Sequence, residues 1–169
     1  MIESQITLRD AAPEDMQFLG SLYCDTRRPE VSSWGWPAQQ QESFLRMQFD
    51  AQYRSYKAAF PDAIDSIVCS EGDPVGRLLV RRETASVHLI DIALVEDQRN
   101  RGIGSELIRC LLRECELQGR SLRLQVLQGN PAVRLYQRLG FLQSSSDQMY
   151  VQMQWHAGNH REGFECQTG

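Results

Sequence analysis

Long apolar runs, lysine and paired cysteines are all scarce in this 169-residue chain. No apolar stretch approaches the roughly 18 residues that span a bilayer, and the N-terminal residues lack the basic-then-apolar pattern of a secretory signal. Lys57 is the only lysine among 18 basic residues, and the formal net charge is −4. A nucleic-acid-binding surface needs a basic face that releases counterions from phosphates. We therefore expect a cytoplasmic protein with neither a membrane nor a nucleic acid as partner.

The cysteines show no pattern typical of a metal site or a disulfide framework. No two of them form a Cys-x-x-Cys pair, and their number is odd, which fits reduced thiols in a cytosol. The five are Cys24, Cys69, Cys110, Cys115 and Cys166. We expect no disulfide and no bound metal.

The spacing of apolar residues predicts one small domain over residues 1–156, followed by a flexible tail over 157–169. A first strand is predicted at 6–9 and a helix at 13–25. Two prolines, a glycine and two tryptophans between residues 26 and 37 predict a loop. The remaining predicted elements are a helix at 38–60, strands at 66–70, 75–83 and 87–95 forming an antiparallel meander, a helix ending near Gly119, a strand at 122–127, a short helix at 130–139 and a last strand at 148–155.

A glycine-containing turn joins the strand at 87–95 to the amphipathic helix that follows. Unpaired N–H groups and the positive end of the macrodipole make a helix start a phosphate-binding position. The P-loop pattern is excluded because Ser105-Glu106 follow Gly104, and a dinucleotide fingerprint is disfavoured because Leu107 replaces its third small residue. The run reads Gln98-Arg99-Asn100-Arg101-Gly102-Ile103-Gly104-Ser105.

A second informative segment covers residues 130–141 and predicts a helix with clear ends. Asn130 is a favoured N-cap residue, Pro131 suits the first helical position, and Gly140 suits a left-handed C-terminal cap. Tyr136 would be a half-buried packing residue if the segment had no function.

The two segments together resemble the GNAT superfamily of N-acetyltransferases. Arg99, Gly102 and Gly104 match its acetyl-CoA loop, Arg/Gln-x-x-Gly-x-Gly/Ala, and residues 136–141 match its later Tyr-x-x-x-Gly-Phe motif. The resemblance extends over about residues 8–155. It implies an α/β (α+β) fold with a mixed, mostly antiparallel central sheet flanked by helices, and an acetyl-CoA cleft between splayed parallel strands.

Acetyl-CoA is the cosubstrate that this resemblance implies, held mostly through main-chain groups. The Ile92 N–H would stabilise the oxyanion that develops during transfer. Asn130 stands six residues before Tyr136 rather than the seven found in many members, so a role as helix cap alone stays open. The expected cofactor-binding residues are Ile92, Ala93, Leu94, Arg99, Asn100, Arg101, Gly102, Ile103, Gly104, Ser105 and Asn130.

The implied reaction is direct attack of an amine on acetyl-CoA in a ternary complex. Tyr136 is the expected general acid for the leaving thiolate, and His88 is the preferred candidate base, with Asp91 and ordered water as alternatives. His88 and Asp91 could equally be structural polar residues of their strand. A covalent acyl-enzyme is disfavoured because Cys110 and Cys115 lie on the helix body with no histidine nearby in sequence.

The acceptor is expected to be a small-molecule or peptide amine, bound by the first two helices and their connection. The expected substrate-binding residues are Trp34, Trp36 and Tyr53, with Arg27, Arg28 and Glu30 as charge readers. Two other functions stay open: a non-catalytic acyl-CoA-binding or sensor domain, and a nucleotide-binding interaction module. Longer acyl groups and a homodimer also stay open.

Overall fold

The computed structural model describes residues 5–158, which form four α-helices and seven β-strands. Cys166 and nearly all of the tail predicted at 157–169 lie outside this range. The helices are α1 (Met16–Ser32), α2 (Ala38–Ala59), α3 (Ile103–Gln118) and α4 (Ala132–Arg138). The strands are β1 (Ile6–Asp10), β2 (Ile64–Ser70), β3 (Asp73–Arg82), β4 (Ser86–Leu94), β5 (Ser121–Leu127), β6 (Leu142–Ser146) and β7 (Tyr150–His156).

The strands follow the order β1-β2-β3-β4-β5-β7-β6 in a mixed sheet. The pairs β1–β2, β2–β3, β5–β7 and β6–β7 are antiparallel, whereas β4 and β5 are parallel. This mostly antiparallel sheet with flanking helices confirms the predicted fold class. No helix within residues 5–158 has the length and apolar character needed to span a membrane.

Contacts between residues divide the chain into two units. The first comprises Met1–Arg81 and Asp91–Gly104, and the second comprises Arg82–Ile90 and Ser105–Gly169, as far as the structure describes them. In the first unit, α1 packs on α2. Two groups of buried side chains fill its core, namely Leu19, Phe49, Ile67 and Cys69, and Cys24, Val31 and Leu45.

Helix α1 continues to Ser32, so the loop predicted at 26–37 is wrong over most of its length. Pro29 lies inside the helix, where a missing N–H and a ring clash cost about 3 kcal/mol. Val31, only 2% exposed, packs beside Cys24 and Leu45 and gains about 1.5 to 3 kcal/mol by burial. The burial of Val31 therefore offsets half or more of the cost of proline within the helix.

Strand β6 is the second departure from the sequence prediction, which placed only the strand at 148–155 in this part of the chain. All five residues of β6 are exposed, so no alternation of apolar and polar residues marks it. It pairs with β7 from Leu142↔Gln154 to Ser146↔Val151. The Asp147 carboxylate accepts the N–H groups of Met149 and Tyr150 in the intervening turn, both at 2.7 Å.

In the second unit, β4 and β5 pair only at their beginnings. The ladder runs from Ser86↔Ser121 to Leu89↔Leu124, whereas β4 continues to Leu94 and β5 to Leu127. The parallel pair therefore covers the first four residues of β4 and precedes the residues expected to bind pantetheine.

Candidate functional site

Two residues of the turn before α3 have a left-handed backbone conformation. Asn100 has φ +59° and Gly102 has φ +86°. Asparagine is one of the few residues other than glycine that tolerate this region, and glycine adopts it without steric cost. The chain thus reverses sharply and enters α3 at Ile103. The first N–H groups of that helix have no carbonyl partner within it and remain suited to an anionic ligand.

The glycines of this turn border open space. A Cβ atom added at Gly102 would meet nothing within 4 Å, and one added at Gly104 would meet only Leu94 Cδ1 at 4.0 Å. A phosphate can therefore approach the backbone amides closely, as the acetyl-CoA assignment requires. The fold itself has no steric need for glycine at Gly104, which has ordinary helical backbone.

The side chain of Arg99 turns back onto the strand that precedes the turn. Its Nε donates a hydrogen bond of 2.8 Å to the Leu94 carbonyl oxygen, and its Nη2 lies 3.5 Å from Thr26 Oγ1. Arg99 is one of the residues expected to bind acetyl-CoA. In the structure, the hydrogen bond from Arg99 Nε links the turn to the end of β4.

A pocket of about 90 Å³ lies in the first unit between α1, α2 and the second half of β4. It brings together four of the predicted site residues, Arg27, Asp91, Ile92 and Ala93, whereas the predicted charge reader Arg28 does not line it. The complete lining is Leu19, Leu22, Tyr23, Thr26, Arg27, Gln52, Arg77, Asp91, Ile92 and Ala93.

Asp91 is part of a charge cluster built on Arg77. The Nε and Nη2 atoms of Arg77 each donate a 2.8 Å hydrogen bond to Asp65, and its Nη1 lies 3.5 Å from Asp91 Oδ2. The Arg77 side chain is 5% exposed, that of Asp65 11% and that of Asp91 31%. Burial raises the pKa of Asp91, and the nearby Arg77 cation offsets only part of this increase. A carboxylate with a raised pKa is better matched to proton transfer near neutral pH.

Gly76 allows β3 to lie against the wall of this pocket. A Cβ atom at Gly76 would collide with the Ala93 carbonyl oxygen and lie 2.7 Å from Leu94 Cδ2. The neighbouring backbone is joined by a 2.8 Å hydrogen bond from the Val95 N–H to the Val75 carbonyl oxygen. Gly76 was missed by sequence reasoning, because its requirement comes from another segment.

The residues expected from the second motif lie on and beside α4. Asn130 Oδ1 accepts a 2.9 Å hydrogen bond from the N–H of Ala132, the first residue of α4, but the N-cap position itself is occupied by Pro131 and not by Asn130 as predicted. Gly140 has φ +94°, and the Phe141 N–H donates to the Tyr136 carbonyl oxygen at 3.0 Å, which confirms the predicted left-handed end. Tyr136 is 7% exposed, and its ring centroid lies 5.6 Å from that of Phe141.

His88 does not line the pocket that contains Asp91. It is half-buried in the paired part of β4, opposite Arg123 in the register with β5. The structure therefore gives the two candidate bases different surroundings, although they lie on one strand.

The aromatic residues predicted to bind substrate occupy two other places. Trp34 and Trp36 form an edge-on cluster with Phe44, with ring centroids 5.1 to 5.5 Å apart. Tyr53 lines a smaller pocket that also contains Arg77, and the Lys57 ammonium lies 5.5 Å from the centroid of its ring. None of the three lines the pocket of Asp91.

Comparison with known proteins gives a family and a fold. The model of the acetyltransferase (GNAT) family matches residues 22–141. The PaiA N-acetyltransferase of Thermoplasma acidophilum, solved with coenzyme A, aligns with a TM-score of 0.68 at 16% identity and covers 90% of this chain and 99% of its own. An acetyltransferase from Thermus thermophilus aligns with a TM-score of 0.64 at 17% identity, covering 90% and 97%. No curated protein sequence matches significantly. Because the family match spans more than half of the chain, this protein belongs to the GNAT family of acetyltransferases.

Proposed function

We propose that the protein transfers an acetyl group from acetyl-CoA to a primary amine by direct attack in a ternary complex. The observation that carries this proposal is the pocket that Asp91 lines together with Ile92 and Ala93, the next two residues of β4. A carboxylate is suited to an ammonium group, and the residues that follow Asp91 in β4 are the segment expected to hold the thioester. Membership of the family supports acetyl transfer, and this juxtaposition supports an amine as acceptor.

Acetyl-CoA would bind mostly through backbone groups. The N–H groups at residues 99–105 would hold the pyrophosphate, and the open space beside Gly102 and Gly104 supports this placement. The pantetheine arm would lie along Ile92, Ala93 and Leu94 as an added strand. Asn130 would stabilise α4, in keeping with its contact to the Ala132 N–H.

Asp91 would act as the base, since it lines the pocket and His88 does not. It accepts one proton from the ammonium, whose freed nitrogen then attacks the thioester carbonyl carbon. The Ile92 N–H donates to the oxygen on which negative charge develops. The C–N bond forms, the C–S bond breaks, and the Tyr136 hydroxyl gives its proton to the thiolate. The second nitrogen proton restores Tyr136, and the first leaves from Asp91 to solvent.

The first test separates ligand binding from folding. Leucine at Gly104 would cover the amides at the start of α3, but its Cβ fits the fold, and leucine favours helix by up to about 1 kcal/mol over glycine. We expect Gly104→Leu to keep or raise the melting temperature and to lose most stabilisation by acetyl-CoA. Arg109→Leu adds the same side chain at an exposed position of α3 and should retain the response.

Thermal shifts with acetyl-CoA, longer acyl-CoAs, NAD and ATP measure this response. A ligand at 100 times its dissociation constant adds about 2.7 kcal/mol to the free energy of unfolding. A stronger response to NAD or ATP would favour a nucleotide-binding module and overturn the proposal. Acetyl-CoA binding without thiol release from any amine would favour a non-catalytic sensor. Tyr136→Phe should retain acetyl-CoA binding but release thiol more slowly.

A further inference from the structure

The charges around the Asp91 pocket limit the kind of amine that fits it. Its lining contains one carboxylate, Asp91, and two guanidinium groups, Arg27 and Arg77. Arg77 directs two of its donors at Asp65, which leaves only its Nη1 facing Asp91. An amine with several positive charges could pair one of them with Asp91, but its other charges would lie near Arg27 or Arg77 and be repelled.

Arg27 is positioned at this pocket, but its hydrogen bonds with other residues of the protein are long. Its guanidinium carbon lies 5.6 Å from the centroid of the Tyr23 ring, a cation–π distance that positions it over another lining residue. Both of its contacts with Glu30 are 3.4 Å long, and the two side chains are 34% and 56% exposed. Exposed pairs of this kind contribute little to stability. Arg27 can therefore bind an anionic group of a ligand at small cost.

The pocket also has a small apolar surface. Leu19, Leu22 and Tyr23 contribute it beside the uncharged polar side chains of Thr26 and Gln52, and the pocket volume is about 90 Å³. A group of a few carbon atoms suits this space, whereas a large polycyclic amine does not. An ammonium site and an anion site thus flank a short apolar wall.

From this arrangement, and resting on the proposed function, we propose that the acceptor is a small amine that also carries a carboxylate. Its ammonium binds Asp91, its carboxylate pairs with the Arg27 guanidinium, and its hydrocarbon part contacts Leu19 and Leu22. A planar guanidinium can bind a carboxylate through two parallel hydrogen bonds, which fixes the orientation of the amine. The structure therefore favours amino acids over diamines as acceptors.

Acetyl transfer to matched amines tests this inference on the full chain. Common α-amino acids are assayed for thiol release, each beside its carboxamide and its decarboxylated amine, with 1,4-diaminobutane in the same set. We expect at least one amino acid to exceed its two analogues by about tenfold or more in kcat/KM. Arg27→Gln should raise the KM for that amino acid about tenfold and leave the carboxamide nearly unchanged.

Arg54→Gln is the matched control, and it should leave the KM values for acid and amide unchanged. Arg54 is exposed on α2, donates from Nε to the Asp50 carbonyl oxygen at 3.2 Å and does not line the pocket. Preference for carboxamides, decarboxylated amines or the diamine would overturn the inference, as would equal effects of Arg27→Gln on acid and amide. If acetyl-CoA stabilises the protein and no amino acid is acetylated, the inference also fails. Absence of any acetyl-CoA response would instead overturn the proposed function.

Discussion

At the scale of single residues, Arg77 determines how the buried charges of the first unit are balanced. It forms two hydrogen bonds with Asp65 and approaches Asp91 at 3.5 Å, while its own side chain is 5% exposed. Such a group is costly to bury unless its donors are satisfied. Asp65 supplies most of that satisfaction. Asp91 is therefore close to a cation without being fully neutralised by it.

The first prediction concerns the pH dependence of Asp91. Burial raises the pKa of this carboxyl above its ordinary value of 3.8. A base must be deprotonated, so kcat/KM should increase as pH rises through that raised pKa. Asp91→Asn should remove this limb from the pH–rate profile and lower the rate by about 100-fold or more.

Asp50→Asn provides a matched control, because it replaces a carboxylate with an amide in the same way and Asp50 is exposed on α2. Its pH–rate profile should superimpose on that of the unaltered protein. An Asp91→Asn variant with the original rate and the original acid limb would exclude Asp91 as the base and favour His88 or water.

At the scale of elements, the two motifs could be predicted because their signals are local. The turn before α3 and the ends of α4 depend on glycine, asparagine and proline at fixed offsets. The structure confirms the left-handed Gly140 and the helix that begins at Ile103. Helix α2 was likewise predicted to within a residue, because its apolar side chains repeat every three or four positions.

Other elements were not predictable because distant residues decide them. Helix α1 passes through Pro29 because Val31 packs beside Leu45, which belongs to α2. Strand β6 has no apolar face and is defined by its pairing with β7. Arg77 and Asp65 are twelve residues apart, and only the register of β2 with β3 brings them together.

The second prediction concerns the end of α4. Gly140 has φ +94°, a region that costs an L-amino acid about 1 to 3 kcal/mol. Gly140→Ala should lower the free energy of unfolding by that amount, measured by urea denaturation. Gln137→Ala, at an exposed position of the same helix, should change it by less than about 0.5 kcal/mol. Equal stability of both variants would contradict a strained helix end.

At the scale of the whole molecule, the thiols report on folding. Cys24, Cys69 and Cys115 are buried, and Cys110 is exposed. Burial also raises the pKa of Cys115 to about 11, so little thiolate is present near neutral pH. Thiol reactivity should therefore distinguish the native protein from its unfolded state.

The third prediction follows from this distribution. At pH 8, a maleimide should label Cys110 rapidly and the three buried thiols only as the chain unfolds. Peptide mass spectrometry at increasing urea concentrations measures each site separately. Cys110→Ser should remove the fast reaction among these four sites. Rapid labelling of Cys24 or Cys115 in the native protein would contradict their burial in the core.

Lys57, whose ammonium lies over the Tyr53 ring on the exposed side of α2, carries the only ε-amino group in the chain. Any acetylation of lysine in this protein is therefore confined to one side chain. The same property makes the protein convenient to label. An amine-reactive dye attached to Lys57 would report on the Tyr53 pocket and would leave the arginine side chains around the proposed acceptor unmodified.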